Sequence, residues 1–165
     1  MIIVTGGAGF IGSNLINFLI EKNSDDIVSI DFLNEKNKKY FSSERVIRVI
    51  PEKTFLFINK YAKKIKIVIH LGAISSTTIK NPKLVLENNL NLSLKLKDWC
   101  LKKNKRFIYA SSAATYGNGE NGFLDNSDIN YLSNLIPLNL YGWSKQIVDL
   151  NFFREKLQKS QLVGL

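Results

Sequence analysis

The sequence predicts an α/β fold built on a doubly wound, mostly parallel sheet, and three observations carry that expectation. Short β-rich apolar runs alternate with longer amphipathic stretches along the 165 residues. Gly6, Gly9 and Gly12 stand three apart between the first apolar run and the first amphipathic one. The run from Ile65 to Leu71 is almost continuously apolar, as a central strand covered on both faces must be.

Taken in order, Ile2 to Val4 reads as the first strand, and the residues after Gly9 as a helix with Ile11, Leu15, Phe18 and Leu19 as its buried stripe. Ile27 to Ile30 is the second strand, closed by Asp31. Asn34 to Glu44 is a polar loop, and Arg45 to Ile50 a third strand. Pro51 and Glu52 open a modest helix through Ala62, with Phe55 and Ile58 apolar. Gly72 and Ala73 end the central strand, and Ser75 to Thr78 form a hydroxyl-rich loop. Pro82 sits early in a long helix reaching Lys103, which carries Leu86, Leu90, Leu94, Leu96, Trp99 and Cys100. Arg106 to Ala110 is a fifth strand running into Ser111 and Ser112. Residues 118 to 139 hold turn formers with little periodicity and read as a long active-site loop. Tyr141 opens a helix to about Gln158, and Leu162 to Leu165 begin a sixth strand. One domain over residues 1–165, cut at the start of that strand, is the expected organisation.

A hydrophobic content of 45% supports one real core. The single cysteine, Cys100, excludes a disulfide framework and a thiolate metal site, and a reducing cytoplasm is the expected compartment. No apolar run reaches the length of a membrane span, and Met1 leads directly into the first strand, so a soluble, unprocessed protein is expected. The net charge of +9 raises nucleic-acid binding. The lysines, however, fall in short groups (Lys36, Lys38, Lys39; Lys63, Lys64, Lys66; Lys102, Lys103, Lys105) at expected helix ends and loops. There they cap helix dipoles and meet solvent, so neither nucleic acid nor membrane is an expected partner. No metal site is expected. His70, Trp99 and Cys100 read as structural, while Trp143 either borders a substrate or packs its helix.

The glycine spacing is a cradle for a dinucleotide pyrophosphate. A tight turn and close approach to phosphate need residues without Cβ, and the following helix N-terminus favours the anion. Asp31, about twenty residues on, stands where a ribose hydroxyl is held. Tyr141 and Lys145 lie four apart, hence on one face of a helix, and a nearby cation favours the phenolate, making the tyrosine a usable general acid/base. Ser112, at the carboxyl end of the fifth strand, can hydrogen-bond a substrate oxygen.

Together the segment Thr5-Gly6-Gly7-Ala8-Gly9-Phe10-Ile11-Gly12, the Ser111-Ser112 strand end and Tyr141-x-x-x-Lys145 resemble the extended short-chain dehydrogenase/reductase superfamily, in its nucleotide-sugar epimerase and dehydratase branch. Within it, His70 to Thr78, Glu87-Asn88-Asn89, Tyr109 to Gly117 and Pro137 to Lys145 are similar to the enzymes that epimerise ADP-linked heptose. Ser75-Ser76-Thr77-Thr78 is the most discriminating piece. The resemblance spans essentially the whole chain and is looser between Tyr40 and Ile65.

The resemblance implies a Rossmann, NAD(P)-binding fold in which Gly6, Gly9, Phe10, Ile11 and Gly12 line the pyrophosphate and Asp31 and Phe32 approach the adenosine ribose. It sets Leu71, Gly72, Ala73, Ile74, Ser75 and Asn88 along the cofactor, with Lys145 on the nicotinamide ribose. Lys38 and Lys53 match family lysines that contact NADP. NADP is therefore the expected cofactor, with NAD possible: a carboxylate at position 31 repels a 2′-phosphate, and a neighbouring cation offsets the repulsion. Phe32 stands where the family often has asparagine, so one polar contact is missing.

The implied reaction is epimerisation at C6 of ADP-D-glycero-D-manno-heptose through transient oxidation by bound NAD(P), with Ser112, Tyr141 and Lys145 catalytic, in lipopolysaccharide biosynthesis. Family members are longer and are expected to be homo-oligomers. On this reading a C-terminal substrate domain, with a second acid/base lysine, is missing, and an apolar edge is exposed at Leu165. Two alternatives stay open. One is another nucleotide-sugar epimerase, such as UDP-glucose 4-epimerase; the other is a dinucleotide-binding fragment without turnover. Dehydration is disfavoured, because a dehydratase places acidic residues where Ala113 and Ala114 stand.

Overall fold

The computed structural model describes residues 1–22, 25–32, 34, 45–154 and 162–165. They form two compact units, Met1–Gly72 with Cys100–Ile108, and Ala73–Trp99 with Tyr109–Leu165.

The first unit contains β1 (Ile2–Thr5), α1 (Phe10–Lys22), β2 (Ile27–Ile30), β3 (Val46–Val49), a 3-10 turn (Pro51–Lys53), α2 (Thr54–Lys60), β4 (Ile67–His70) and most of β5 (Arg106–Tyr109). Its strands are ordered β3-β2-β1-β4-β5. β1 runs parallel to β2 and to β4, and β2 parallel to β3, with Ile2 opposite both Ile27 and Ile67. Every residue of β1 and β2 is buried, as expected for strands in a parallel sheet with both faces covered. Ile2, Val4, Ile16, Ile27 and Val46 form its core.

The helix after the glycine turn buries a different face from the one its apolar residues define. Ile11 and Phe18 are 68% and 56% exposed. Gly12, Ser13 and Ile16 are buried instead, with Leu15, Leu19 and Ile20 packed partly against the core. The cause is Gly12: a Cβ there would overlap the Gly6 carbonyl oxygen, so this residue fixes the side that faces inward. Ile11, one residue or about 100° away, is turned outward. The helix expected from Pro51 through Ala62 is narrower, because Pro51–Lys53 tightens into a 3-10 turn, with the Thr54 hydroxyl donating to the Pro51 carbonyl at 2.6 Å.

In the second unit Pro82 opens α3 (Pro82–Val85), and Asn81 caps it by accepting the Leu84 amide at 3.2 Å. The long helix has the expected extent but is not uniform. A π-helical segment, Leu86–Asn91, separates α3 from α4 (Leu92–Lys102). Asn89 supplies the reason. Fully buried, its carboxamide accepts the Ile74 amide at 2.8 Å and donates to the Ile74 carbonyl and Ser144 Oγ, both at 3.0 Å. Such tertiary bonds hold a wide turn that helix propensity alone does not favour.

After β5 come a 3-10 turn (Ala113–Tyr116), α5 (Ile129–Asn134), α6 (Leu140–Arg154) and β6 (Leu162–Gly164). The stretch read as a loop thus contains a short helix, capped by Asp128, which accepts the Asn130 and Tyr131 amides at 2.9 and 3.2 Å. Gln146 of α6 donates to the carbonyls of Leu132 and Leu135, tying α5 to α6. Leu165 exchanges backbone bonds with Tyr109 and Ser111, at 3.0 and 2.8 Å. The expected helix end near Gln158 lies outside the described residues. His70, Trp99 and Cys100 are buried, and Trp143 is 48% exposed, so it is not core of its helix. Among the described residues no helix is long and apolar enough to cross a membrane.

Candidate active site

The first unit carries the glycine turn. Gly6 has φ +71°, in the region where a side chain is strained, and a Cβ there would stand 2.6 Å from the Gly72 nitrogen. Gly6 and Gly12 are therefore demanded by the fold itself. Gly9 is less constrained: a Cβ there would meet the Gly6 carbonyl oxygen at 3.3 Å, a tight contact but not an overlap. It stands at the N-terminus of α1, where the helix dipole favours an anion. A pyrophosphate is an anion that this helix N-terminus and its glycines fit. Phe10 and Ile11, beside it, are exposed.

Asp31 follows β2 and binds this turn. Its Oδ2 accepts the Ala8 amide at 2.9 Å and its Oδ1 the Phe32 amide at 2.7 Å, which aims the carboxylate beside the glycines and leaves lone pairs for a hydroxyl. Phe32 is exposed. Leu71 and Gly72 continue from β4, with the Leu71 amide donating to the Thr5 carbonyl at 3.1 Å. Lys53 is exposed on the 3-10 turn and lines a groove with Arg48 and Lys60. Lys38 lies outside the described residues.

The second unit carries the acid/base candidates. Ala73, Ile74 and Ser75 lead away from the strand end, with Ile74 held by Asn89. Asn88 is exposed, and its Nδ2 donates to the Leu84 carbonyl at 2.8 Å. Ser112 caps the 3-10 turn by accepting the Ala114 amide at 3.1 Å. Tyr141 and Lys145 occupy successive turns of α6. Gly142 lets that helix meet the serine-bearing turn, since a Cβ there would come within 2.5 Å of the Ala114 carbonyl oxygen. Lys145 is 3% exposed and donates to the Ala110 carbonyl at 2.6 Å. Burial lowers its pKa from 10.5 to about 8, while the Asp149 carboxylate works the other way.

Asp149 is the functional candidate that the sequence reading misses. It is 6% exposed and accepts the Tyr109 hydroxyl at 2.7 Å and the Ser111 hydroxyl at 2.6 Å. Burial raises its pKa, and the two hydroxyls and Lys145 oppose that rise. Asp149, Ser111, Ser112, Tyr116, Asp125 and Asn126 line a cavity of about 260 Å³. The only sequence signal for it was the four-residue step from Lys145, which on most helices is a surface ion pair. Together these groups offer a buried amine, a phenol and hydroxyls that can hold or move protons.

The chain belongs to the NAD dependent epimerase/dehydratase family, whose model matches residues 2–152. It is 42% identical over 159 residues to an ADP-L-glycero-D-manno-heptose-6-epimerase of Nitratidesulfovibrio vulgaris, covering 94% of this chain and 49% of that protein. It is 40% identical over 172 residues to the enzyme of that name from Fusobacterium nucleatum, covering 100% of this chain and 51% of the relative. Among solved structures, Helicobacter pylori ADP-L-glycero-D-manno-heptose-6-epimerase superposes with a TM-score of 0.75 at 30% identity, over 99% of this chain and 53% of that one. A UDP-N-acetylglucosamine 4-epimerase of Methanobrevibacter ruminantium gives 0.78 at 28% identity, over 99% of this chain and 53% of that one. The chain spans about half the length of the curated relatives it matches.

Proposed function

We propose that residues 1–165 are the dinucleotide-binding domain of an epimerase that inverts C6 of an ADP-linked heptose, a cytoplasmic step of lipopolysaccharide biosynthesis. The turn of α6 from Tyr141 to buried Lys145 carries this reading, because it supplies a phenol and an amine of lowered pKa one turn apart. The heptose-epimerase names of relatives at 42% and 40% identity support the choice of sugar. The bound nicotinamide would supply reversible hydride transfer, and NADP is the preferred form, with NAD the alternative.

In this reading Gly6, Gly9, Phe10, Ile11 and Gly12 hold the pyrophosphate, and Asp31 and Phe32 meet the adenosine ribose. Lys38 and Lys53 take the 2′-phosphate, and Leu71, Gly72, Ala73, Ile74, Ser75 and Asn88 run along the cofactor. Tyr141 moves the proton of the reacting hydroxyl, Ser112 hydrogen-bonds the same oxygen, and Lys145 orients the ribose. The whole enzyme is a homo-oligomer. A second reading, a UDP-sugar 4-epimerase, is favoured by the likeness to the Methanobrevibacter enzyme.

The test is calorimetric titration of the chain with NADP and with NAD, then incubation with ADP-D-glycero-D-manno-heptose and, separately, UDP-glucose, with products read by proton NMR. Binding of one of the dinucleotides is the expected result, and C6 inversion lost in Tyr141→Phe would identify a chain that is active on its own. Binding without turnover leaves a dinucleotide-binding module, and absence of binding to either dinucleotide rejects the reading.

A further inference from the structure

We propose that Asp149 is a positioning residue for Lys145: it clamps the end of β5 so that the Ala110 carbonyl is held where the Lys145 ammonium binds it. The proposal rests on the reading of Lys145 as catalytic. Side chains two apart in an extended chain point to the same side, and Tyr109 and Ser111 use this to place both hydroxyls on one carboxylate, the first on Oδ1 at 2.7 Å and the second on Oδ2 at 2.6 Å. Between them Ala110 presents its carbonyl to Lys145 Nζ at 2.6 Å. Lys145 and Asp149 are four apart on α6 and so share a face. One turn of helix thereby binds three consecutive residues of the strand end, and Ser112 is the next residue along.

The geometry leaves the carboxylate little freedom, since each oxygen has its own hydroxyl and rotation would break one bond. It also sets the electrostatics. Lys145 is charged and buried, its cost is offset by Ala110 and by the negative charge of Asp149, and little solvent intervenes to screen that attraction. Asp149 itself is faced by Lys145, Tyr109 and Ser111, and its charge also reaches Tyr116, beside which Asp125 stands. An apolar residue at this position would remove the carboxylate that the Tyr109 and Ser111 hydroxyls share.

The experiment is an NMR titration of the Lys145 side chain in the 165-residue chain labelled with ¹³C-lysine, its signal identified by disappearance in Lys145→Arg. The wild-type midpoint is expected at about 8. In Asp149→Asn it should fall by about one pH unit or more, and Asp149→Glu should bring it back toward wild type. An unchanged midpoint in folded Asp149→Asn overturns the proposal. If that variant does not fold, Tyr109→Phe and Ser111→Ala each remove one strand of the clamp; a lowered midpoint in either upholds it, and wild-type midpoints in both overturn it. No sugar is present in this titration. A chain that titrates as expected without binding either dinucleotide rejects the functional reading alone, and one that binds a dinucleotide with Lys145 indifferent to Asp149 rejects the clamp alone.

Discussion

The Thr5 hydroxyl lies 2.6 Å from Nδ1 of His70, joining the last residues of β1 and β4, which are also register partners. The same hydroxyl accepts the Gly72 amide at 3.2 Å, so one small buried side chain ties together the strand ends beside the glycine turn. Thr5→Val keeps the shape and removes the hydroxyl. It should lower stability by about 1–3 kcal/mol, because the half-buried Gly72 amide loses this acceptor and the buried imidazole loses this hydrogen bond. Urea unfolding measures this, and a wild-type midpoint would show that the tie contributes nothing.

Gly12→Ala and Gly9→Ala separate fold from ligand. The first forces a methyl onto the Gly6 carbonyl and should destabilise by about 1–3 kcal/mol. The second meets one atom, at 3.3 Å, and should cost clearly less stability than the first while weakening NADP binding about tenfold or more. Equal stability losses in the two would refute the assignment of Gly9 to a ligand.

Asn89→Ala removes the side chain that bonds both backbone groups of Ile74 and the Ser144 hydroxyl. With buried partners stranded, a loss of about 2–4 kcal/mol is expected in chemical denaturation. A loss below 1 kcal/mol would mean that water replaces the carboxamide without strain.

Lys145 gives stability a pH signature. Its folded pKa of about 8 lies below its ordinary 10.5 because burial disfavours the ammonium. Between those values the unfolded chain holds more protons than the folded one, so the unfolding free energy rises with pH across that window, by about 3 kcal/mol in all, and this contribution is flat below it. Comparison with Lys145→Met at each pH isolates the residue from other titrating groups. Parallel curves for the two proteins from pH 8 to 10.5 would contradict the buried ammonium.

Cys100 is buried in α4, and burial pushes its thiol up to about 12, although the nearby Lys105 opposes the shift. A thiol so protonated and covered is a poor nucleophile. Native chain at pH 8 should therefore resist iodoacetamide, and the labelling rate should rise by orders of magnitude in denaturant. Rapid labelling of native protein would place Cys100 at an opening that the fold does not show.

How much the sequence disclosed depended on the range of the interactions. The glycine turn and β1 were legible because Gly6, Gly9 and Gly12 and the apolar run before them act within a dozen residues. The inward face of α1 was misread because Ile11 and Phe18 are the more apolar residues, while the contact that orients the helix is made by a glycine. α5 was hidden inside polar residues 118–139, where six helical residues show too little period and only Asp128, as a cap, marked the start. Lys145 and Tyr141 were visible as a pair on one helix. The partners of Asp149 were not, since Tyr109 and Ser111 are 40 and 38 residues away.

The π-helical segment over Leu86–Asn91 changes how the long helix tolerates length variation. A π turn accommodates one residue more than an α turn would, so the parts of the helix before and after it are out of phase by about 100° relative to an unbroken α-helix. Val85 and Leu96 are both buried with that offset in place. Deleting a single residue between Glu87 and Asn91 would therefore yield a more regular helix and a worse protein, with one of those side chains swung away from the core it now fills.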